Sequence, residues 1–391
     1  MDSTSTNHYK KKDSEMNMTI KNKLLLIEDG LKLFFRSKRK QFFKTKKYKG
    51  TSKEICTQII HDCYNNKKNY FMVSPNNFNQ FYARDFGMVC TALLELGYEK
   101  EVKNTLIYAM NIYFKERQFT TQINTKGLPL NFPAQSPESA SYMLNSLIQL
   151  NDKKLIEKYK PLFLEEAKRI YFEDVDIQTG LLLKNKTFSS MKDFAKQQSA
   201  CYTNCLLGLF ARNLKKIGIK SELNKYNYEK LIIEHFWRDT HFVDDLSGKD
   251  IISGDANIFP FWTGLIQDKN LFKLALNTIL KQKLNEPFAL KYNNPNDEMD
   301  WHPINLINKN YEHGTIWLHL AVCYFKVLDE FKETKLLKKE LRKHKELIEK
   351  QKTFYEVYTH DGKPYRSLVF EHDEAMIWCA EYLRLENKYL K

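Results

Sequence analysis

The sequence predicts an all-α protein, an (α/α)6 toroid of six helical hairpins, from three observations. From residue 51 onward one helical segment follows another, with most of the glycine and proline held in the loops between them. Strand-forming runs are short: pieces such as Phe71-Met72-Val73 cluster suitably, but none would build a sheet. Helices also alternate in character, and those apolar all round belong inside a fold while those with one apolar stripe belong outside. Twelve helices alternating in this way describe two concentric rings.

In order, helices are expected at 51–66, 86–97, 99–115, 138–151, 153–172, 193–217, 225–238, 255–267, 269–283, 314–331, 333–350 and 373–387. The second is apolar through Met88-Val89-Cys90-Thr91-Ala92-Leu93-Leu94 and stops at Gly97, a residue type favoured just past a helix end. Pro137-Glu138 puts proline and an acid in the first turn of the fourth. Asp193 has the residue type of an N-cap for the sixth, which ends at Gly218. The tenth is apolar through Ile316-Trp317-Leu318-His319-Leu320-Ala321-Val322. In the eleventh, by contrast, Leu336-Leu337-Lys338-Lys339-Glu340-Leu341-Arg342-Lys343 carries one stripe and a charged face.

Two concentric rings impose a geometric demand. Every loop leading from an outer helix into the next inner one emerges on the same face, so a shared site is assembled from those loops. They are rich in carboxylates, aromatics and arginine: Phe81-Tyr82-Ala83-Arg84-Asp85, the stretch from Asn131 to Glu138, Met191-Lys192-Asp193, Gly254-Asp255-Ala256-Asn257, Tyr311-Glu312-His313-Gly314-Thr315 and Tyr355-Glu356. Such loops suit cleavage of a glycosidic bond, where one carboxylic acid protonates the departing oxygen and one carboxylate activates water or attacks directly. Asp193 and Glu356 are the candidate pair, with Glu138, Asp255 and Glu312 as rivals, although any of these acids taken singly also fits a helix cap or a surface position. Arg84-Asp85 fits an ion pair at a helix start. It equally offers a donor fork and an acceptor to two neighbouring hydroxyls of one sugar. Tyr82, Trp262, Trp301, Trp317 and Tyr355 are candidates to stack on sugar faces, against the alternative of core packing, and His313 is a candidate sugar contact.

Composition excludes several other classes. With 42% hydrophobic residues, 26 Phe and 22 Tyr, the chain is globular. The net charge of +14 is concentrated at one end: residues 1–50 hold 14 Lys+Arg against 5 Asp+Glu, leaving +5 for the other 341. That places a basic N-terminal extension (1–50) before one domain (51–391) and argues against nucleic acid as the main partner; Arg36-Ser37-Lys38-Arg39-Lys40 reads as a solvated basic segment. No window supplies the roughly 18 uncharged apolar residues of a membrane span, since Leu24-Leu25-Leu26-Ile27 is cut off by Glu28 and Asp29. Nothing in the first 30 residues has the order of a secretory signal, and seven cysteines without a CxxC agree with a reducing compartment, so a cytoplasmic location is expected. His302, His313 and His319 lack metal-triad spacing, Asp244-Asp245 and Asp297 with Asp300 read as solvated loops, and no phosphate-binding glycine motif is present, so no cofactor is expected.

The motifs carry a family likeness. Phe81-Tyr82-Ala83-Arg84-Asp85-Phe86, followed by Ala92-Leu93-Leu94-Glu95-Leu96-Gly97-Tyr98-Glu99-Lys100-Glu101-Val102, resembles a segment of the neutral/alkaline invertases and, more loosely, an element of glucoamylases and trehalases. Thr353-Phe354-Tyr355-Glu356-Val357-Tyr358-Thr359-His360-Asp361-Gly362 resembles the stretch carrying the invertases' second carboxylate. Ser190-Met191-Lys192-Asp193 with Tyr202-Thr203-Asn204-Cys205-Leu206-Leu207 is similar to a segment of amylo-1,6-glucosidases that carries their general acid. The resemblance covers 51–391 in motif order and implies a six-hairpin glycosidase. Two departures bear on substrate: Phe-Ala-Lys follows Asp193, and Phe-Tyr precedes Glu356 where the invertases have Trp-Pro.

The expectation is a glycoside hydrolase, inverting as relatives of this fold mostly are, acting on an α-linked gluco-oligosaccharide or small glucoside. Asp193 is its acid, Glu356 its base, and Arg84 with Asp85 the clamp on the terminal sugar. Two alternatives keep the toroid: a sugar epimerase or isomerase, which would need two of His302, His313 and His372 to converge, and a non-catalytic carbohydrate-binding protein.

Overall fold

The computed structural model describes residues 45–297, 308, 310–367 and 370–390. The basic run at 36–40, Asp300, Trp301 and His302 lie outside the described residues. Among those described there are twelve α-helices: α1 (Ser52–Asp62), α2 (Ala83–Glu95), α3 (Glu99–Glu116), α4 (Glu138–Leu150), α5 (Lys153–Glu173), α6 (Cys201–Lys216), α7 (Tyr228–Phe236), α8 (Gly254–Trp262), α9 (Lys269–Lys281), α10 (Leu318–Glu330), α11 (Thr334–Gln351) and α12 (Cys379–Tyr389). Each even-numbered helix packs on the next even-numbered one, and α12 returns to α2, so these six surround a common interior; odd-numbered helices lie against them.

Burial follows the residue pattern. From Cys201 to Ala211 every residue of α6 is buried, as is all of α8, whereas α11 buries only Leu337, Glu340, Leu341, His344 and Ile348, one stripe at helical spacing. The inner helices approach closely. A Cβ on Gly87 of α2 would lie 2.4 Å from the ring of Tyr142 in α4, so glycine is what lets that aromatic pass. Four outer helices, α1, α5, α7 and α9, start at side-chain caps: Thr51 and Glu54 form a capping box on α1, and Asp152 accepts from the backbone N–H groups of Lys154 and Leu155 at the start of α5.

The strands are two-residue pairs that bind loops together. Phe81–Tyr82 pairs with Gln122–Ile123, which pairs with Pro129–Leu130; Ile316–Trp317 pairs with Val357–Tyr358 in the register Trp317 to Val357. This last pair starts α10 at Leu318, four residues later than the sequence suggests. Two further starts are corrected. The sixth helix begins at Cys201 with Ala200 as its cap, because the Asp193 carboxylate is taken by side chains and the backbone N–H of Gln198 donates to Asp245 (2.7 Å). The twelfth begins at Cys379, because Asp373 and Glu374 run extended beside Tyr355 and Glu356.

Candidate active site

The loops entering the even-numbered helices supply a buried polar cluster. Arg84 stands in the first turn of α2, delivered by the Phe81–Tyr82 pair, and its guanidinium faces two carboxylates: Asp193 at 3.0 Å and Glu138, the first residue of α4, at 3.7 Å. It also donates to the carbonyl of Ser190. Asp193 accepts from the Ser189 hydroxyl at 2.6 Å and keeps 18% of its side chain exposed, while Glu138 keeps 2%. Glu138 in turn accepts from the Tyr202 hydroxyl, itself 3.2 Å from that of Tyr142. Burial pushes the Glu138 carboxyl up to about 7, against the opposing pull of Arg84.

A second group of acids enters from the loops before α10 and α12. Glu312 accepts from the backbone N–H of Phe194, next to Asp193, at 2.7 Å. Its own burial, with the negative charge of Asp193 adding to it, pushes Glu312 up to about 8. The adjoining Tyr311 donates through its hydroxyl to Glu356 at 3.1 Å. Glu356 is buried, and its other oxygen accepts from the backbone N–H of Asp373 at 2.7 Å, while its backbone N–H donates to the carbonyl of Asp373 at 3.0 Å. The dipeptide Tyr311-Glu312 therefore reaches the backbone of the Asp193 loop with one residue and the Glu356 carboxylate with the other.

Aromatic side chains pack beside these acids. Trp317 stacks on Tyr292 (5.6 Å between ring centres) and His319 (5.0 Å) and meets Tyr311 edge-on (4.9 Å). Tyr292 donates to the carbonyl of Met191 at 2.5 Å, and with its one proton there its oxygen accepts from His319 Nε2 at 2.6 Å. Burial, and secondarily the charge of Arg84, hold His319 well below the usual histidine range, so it stays neutral. Trp378 donates its indole N–H to Asp85 at 2.9 Å.

The residues singled out from sequence thus fall into two sets. Arg84, Asp193, Glu138 and Glu312 converge, and Glu356 joins them through Tyr311. Arg84 and Asp85 turn to different partners, the former to carboxylates and the latter to Trp378. Tyr82 is half-buried and accepts from Gln80 at 3.1 Å. Tyr355 is half-buried against His372 (4.2 Å) under the ammonium of Lys47 (5.1 Å). Trp262 ends α8 inside the ring, with Tyr142, Phe259 and Lys326 around it, and is a core residue in its packing. His313 follows Glu312 in a turn, with a buried Nε2 that has no hydrogen-bond partner among the described residues.

Sequence reasoning missed one group. Lys192 is fully buried and its ammonium pairs with Asp244 and, at 3.3 Å, with Asp255 in the first turn of α8. Asp244 and Asp245, expected to be a solvated loop, are buried. The only signal was a lysine adjoining the candidate acid. Among the described residues no group of three ligating side chains is placed to hold a metal ion, and no helix is long and apolar enough to cross a membrane.

No protein-family model matches the chain, and no curated protein sequence matches it. Solved structures do. A glycosidase is similar with a TM-score of 0.64 at 10% identity, over 86% of this chain and 96% of that one. The GH63 mannosylglycerate hydrolase of Thermus thermophilus, determined in complex with glucose, has a TM-score of 0.59 at 11% identity, over 86% and 100%. A rhamnosidase of Klebsiella oxytoca with rhamnose bound has a TM-score of 0.62 at 10% identity, over 86% of this chain and 63% of its own. At these identities the likeness is one of fold: this mostly helical chain shares the architecture of the toroidal glycosidases.

Proposed function

We propose that the chain is an (α/α)6 toroid of the six-hairpin type and a glycoside hydrolase acting on an α-linked gluco-oligosaccharide or small glucoside. In this reading Asp193 protonates the departing oxygen and Glu356 activates water. The observation that carries it is the dipeptide Tyr311-Glu312, which ties the Asp193 loop and Glu356 into one cluster. Bonds that Glu356 receives from Tyr311 and from the backbone of Asp373 hold its carboxylate as a base must be held. Likeness in fold to hydrolases determined with glucose and with rhamnose supports a sugar substrate, and the invertase-like motifs around Arg84 and Glu356 favour a glucoside.

The reaction calls for no cofactor. Water needs room between the two carboxyl groups in an inverting enzyme, about 6.5 to 9.5 Å, and inversion is the outcome we assign. Seven free buried thiols support a reducing, cytoplasmic setting.

A second reading gives the proton to Glu312. It is favoured by that group's carboxyl, which stays protonated up to about pH 8 beside Asp193.

The test is sugar release from α-glucosides, sucrose, trehalose and branched maltodextrins, run beside Glu356→Gln, Asp193→Asn and Glu312→Gln. Loss of all hydrolysis in Glu356→Gln supports the base. The proton donor is the residue whose variant fails on sugar leaving groups yet still cleaves a dinitrophenyl glucoside, whose leaving group needs no proton. Absence of release by the wild-type protein on every substrate refutes the hydrolase reading.

A further inference from the structure

We infer that Lys192 is a positioning residue that fixes the proton donor Asp193, an inference that rests on the hydrolase reading above. Lys192 is adjacent to Asp193 in the chain and points the opposite way. While Asp193 reaches a partly exposed site beside Arg84, the Lys192 side chain is 0% exposed and runs inward to Asp244 and Asp255. Burial works against its charge, yet these two carboxylates hold it protonated above the usual lysine range.

Asp244 is itself held from two sides, by the Ser253 hydroxyl at 2.7 Å and the Gln197 amide at 2.9 Å. Gln197 also accepts from the Ser190 hydroxyl at 2.7 Å, and the backbone N–H of Lys192 donates to that same hydroxyl oxygen at 3.2 Å. The peptide before Lys192 is fixed as well, since Tyr292 donates to the carbonyl of Met191, and the Lys192 ammonium lies 6.0 Å from the Tyr292 ring. Residues 190–192 are thus anchored toward α2 by Arg84, toward α8 by Lys192 and toward Trp317 by Tyr292. Asp193 is the next side chain out.

The segment from 193 to 200 is not helical, so no run of backbone hydrogen bonds fixes Asp193 from the C-terminal side. A buried ion cluster is a poor way to gain stability, because desolvation offsets the attraction. It is an effective way to fix a loop in one place, because any displacement leaves a buried charge unpaired. General acid catalysis needs that fixity, since the donor must lie within hydrogen-bond reach of the departing oxygen.

The experiment compares kcat on two substrates, a disaccharide cleaved by the wild type and the dinitrophenyl glucoside, for Lys192→Met, Asp255→Asn and Asp193→Asn. Thermal melting checks that each variant is folded. A positioned acid contributes about 10² to 10⁴-fold. Lys192→Met is therefore expected to lose about 100-fold on the disaccharide and less than about threefold on the dinitrophenyl glucoside, in parallel with Asp193→Asn. Asp255→Asn, which removes one of the two partners and keeps the lysine, should show the same selective loss in smaller measure, and it decides the matter if Lys192→Met does not fold. Equal losses on both substrates, or none on either, overturn the positioning role while leaving the hydrolase reading intact. A wild-type protein that cleaves neither substrate refutes the hydrolase reading, and this inference with it.

Discussion

Replacing Glu138 by glutamine tests the buried charge cluster through its dependence on pH. Glu138 faces Arg84 at 3.7 Å and the hydroxyl of Tyr202, and it feels the negative charges of Asp193 and Asp85. Burial raises its carboxyl from the usual 4.5 to about 7. The folded state therefore holds this proton more tightly than the unfolded chain, and the stability it confers is complete below pH 4.5, declines as pH rises, and is gone above about 7. At about 1.4 kcal/mol for each tenfold change in proton affinity, the loss is about 3 kcal/mol. The Glu138→Gln side chain cannot ionise and so lacks this loss. Near pH 4.5 both folded proteins carry a neutral side chain at this position, and the variant's stability relative to the wild type is expected to rise by about 3 kcal/mol between pH 4.5 and 7.5. Urea unfolding at half-unit pH intervals, with circular dichroism as readout, measures the difference. A difference that stays constant with pH, or that falls as pH rises, would refute the charge balance described for this cluster.

Three further outcomes follow from the same packing. On the reading that gives the proton to Glu312, this group ionises near pH 8 next to Asp193, so the kcat/KM profile of the wild type should fall through that region and the residual activity of Glu312→Gln should lack the fall; an unchanged alkaline limb counts against that reading. Trp378→Phe removes the indole donor from buried Asp85 and should cost about 1 to 3 kcal/mol in thermal unfolding. Gly87→Ala puts a methyl group 2.4 Å from Tyr142 in the inner ring and should cost about 1 to 3 kcal/mol, measured the same way, with no loss meaning that the ring moves aside freely.

Much of this fold is legible in the sequence because helix periodicity is local. Eleven residues of α6 are buried in succession and α11 shows a single stripe, and both patterns are plain in the order of the residues. Legibility fails where a long-range partner overrides a local preference. Asp193 has the residue type of a cap, yet Arg84, 109 positions away in the chain, claims its carboxylate, and the helix starts eight residues later. Lys192 finds Asp244 at a separation of 52, which no local pattern announces. Trp262 illustrates a different limit, for an aromatic residue at the end of an inner helix has the same pattern whether it faces a pocket or packs against Tyr142 and Phe259.

The acids of the candidate site raise the hardest form of this problem, because the signal that marks them is also the commonest signal of a helix start. Negative charge in a first turn is favoured by the helix dipole wherever the helix lies. Accordingly α1, α3 and α7 carry Glu54, Glu99 and Glu229 there, while α2, α4, α8 and α12 carry Asp85, Glu138, Asp255 and Glu381. The first three lie outside the buried core, and the other four are buried. A dipole worth about 0.3 to 1 kcal/mol suits an acid in water, but it cannot by itself offset the removal of a carboxylate from solvent, which costs several kcal/mol. Each buried acid therefore needs a second source of stabilisation: Arg84 for Glu138, Trp378 for Asp85, Lys192 for Asp255 and Arg384 for Glu381. Two of those partners, Arg84 and Lys192, meet at the loop that carries Asp193. What separates Glu138 and Asp255 from a helix-start acid in water is the cation brought to each from another element, and that pairing exists only once the helices have closed.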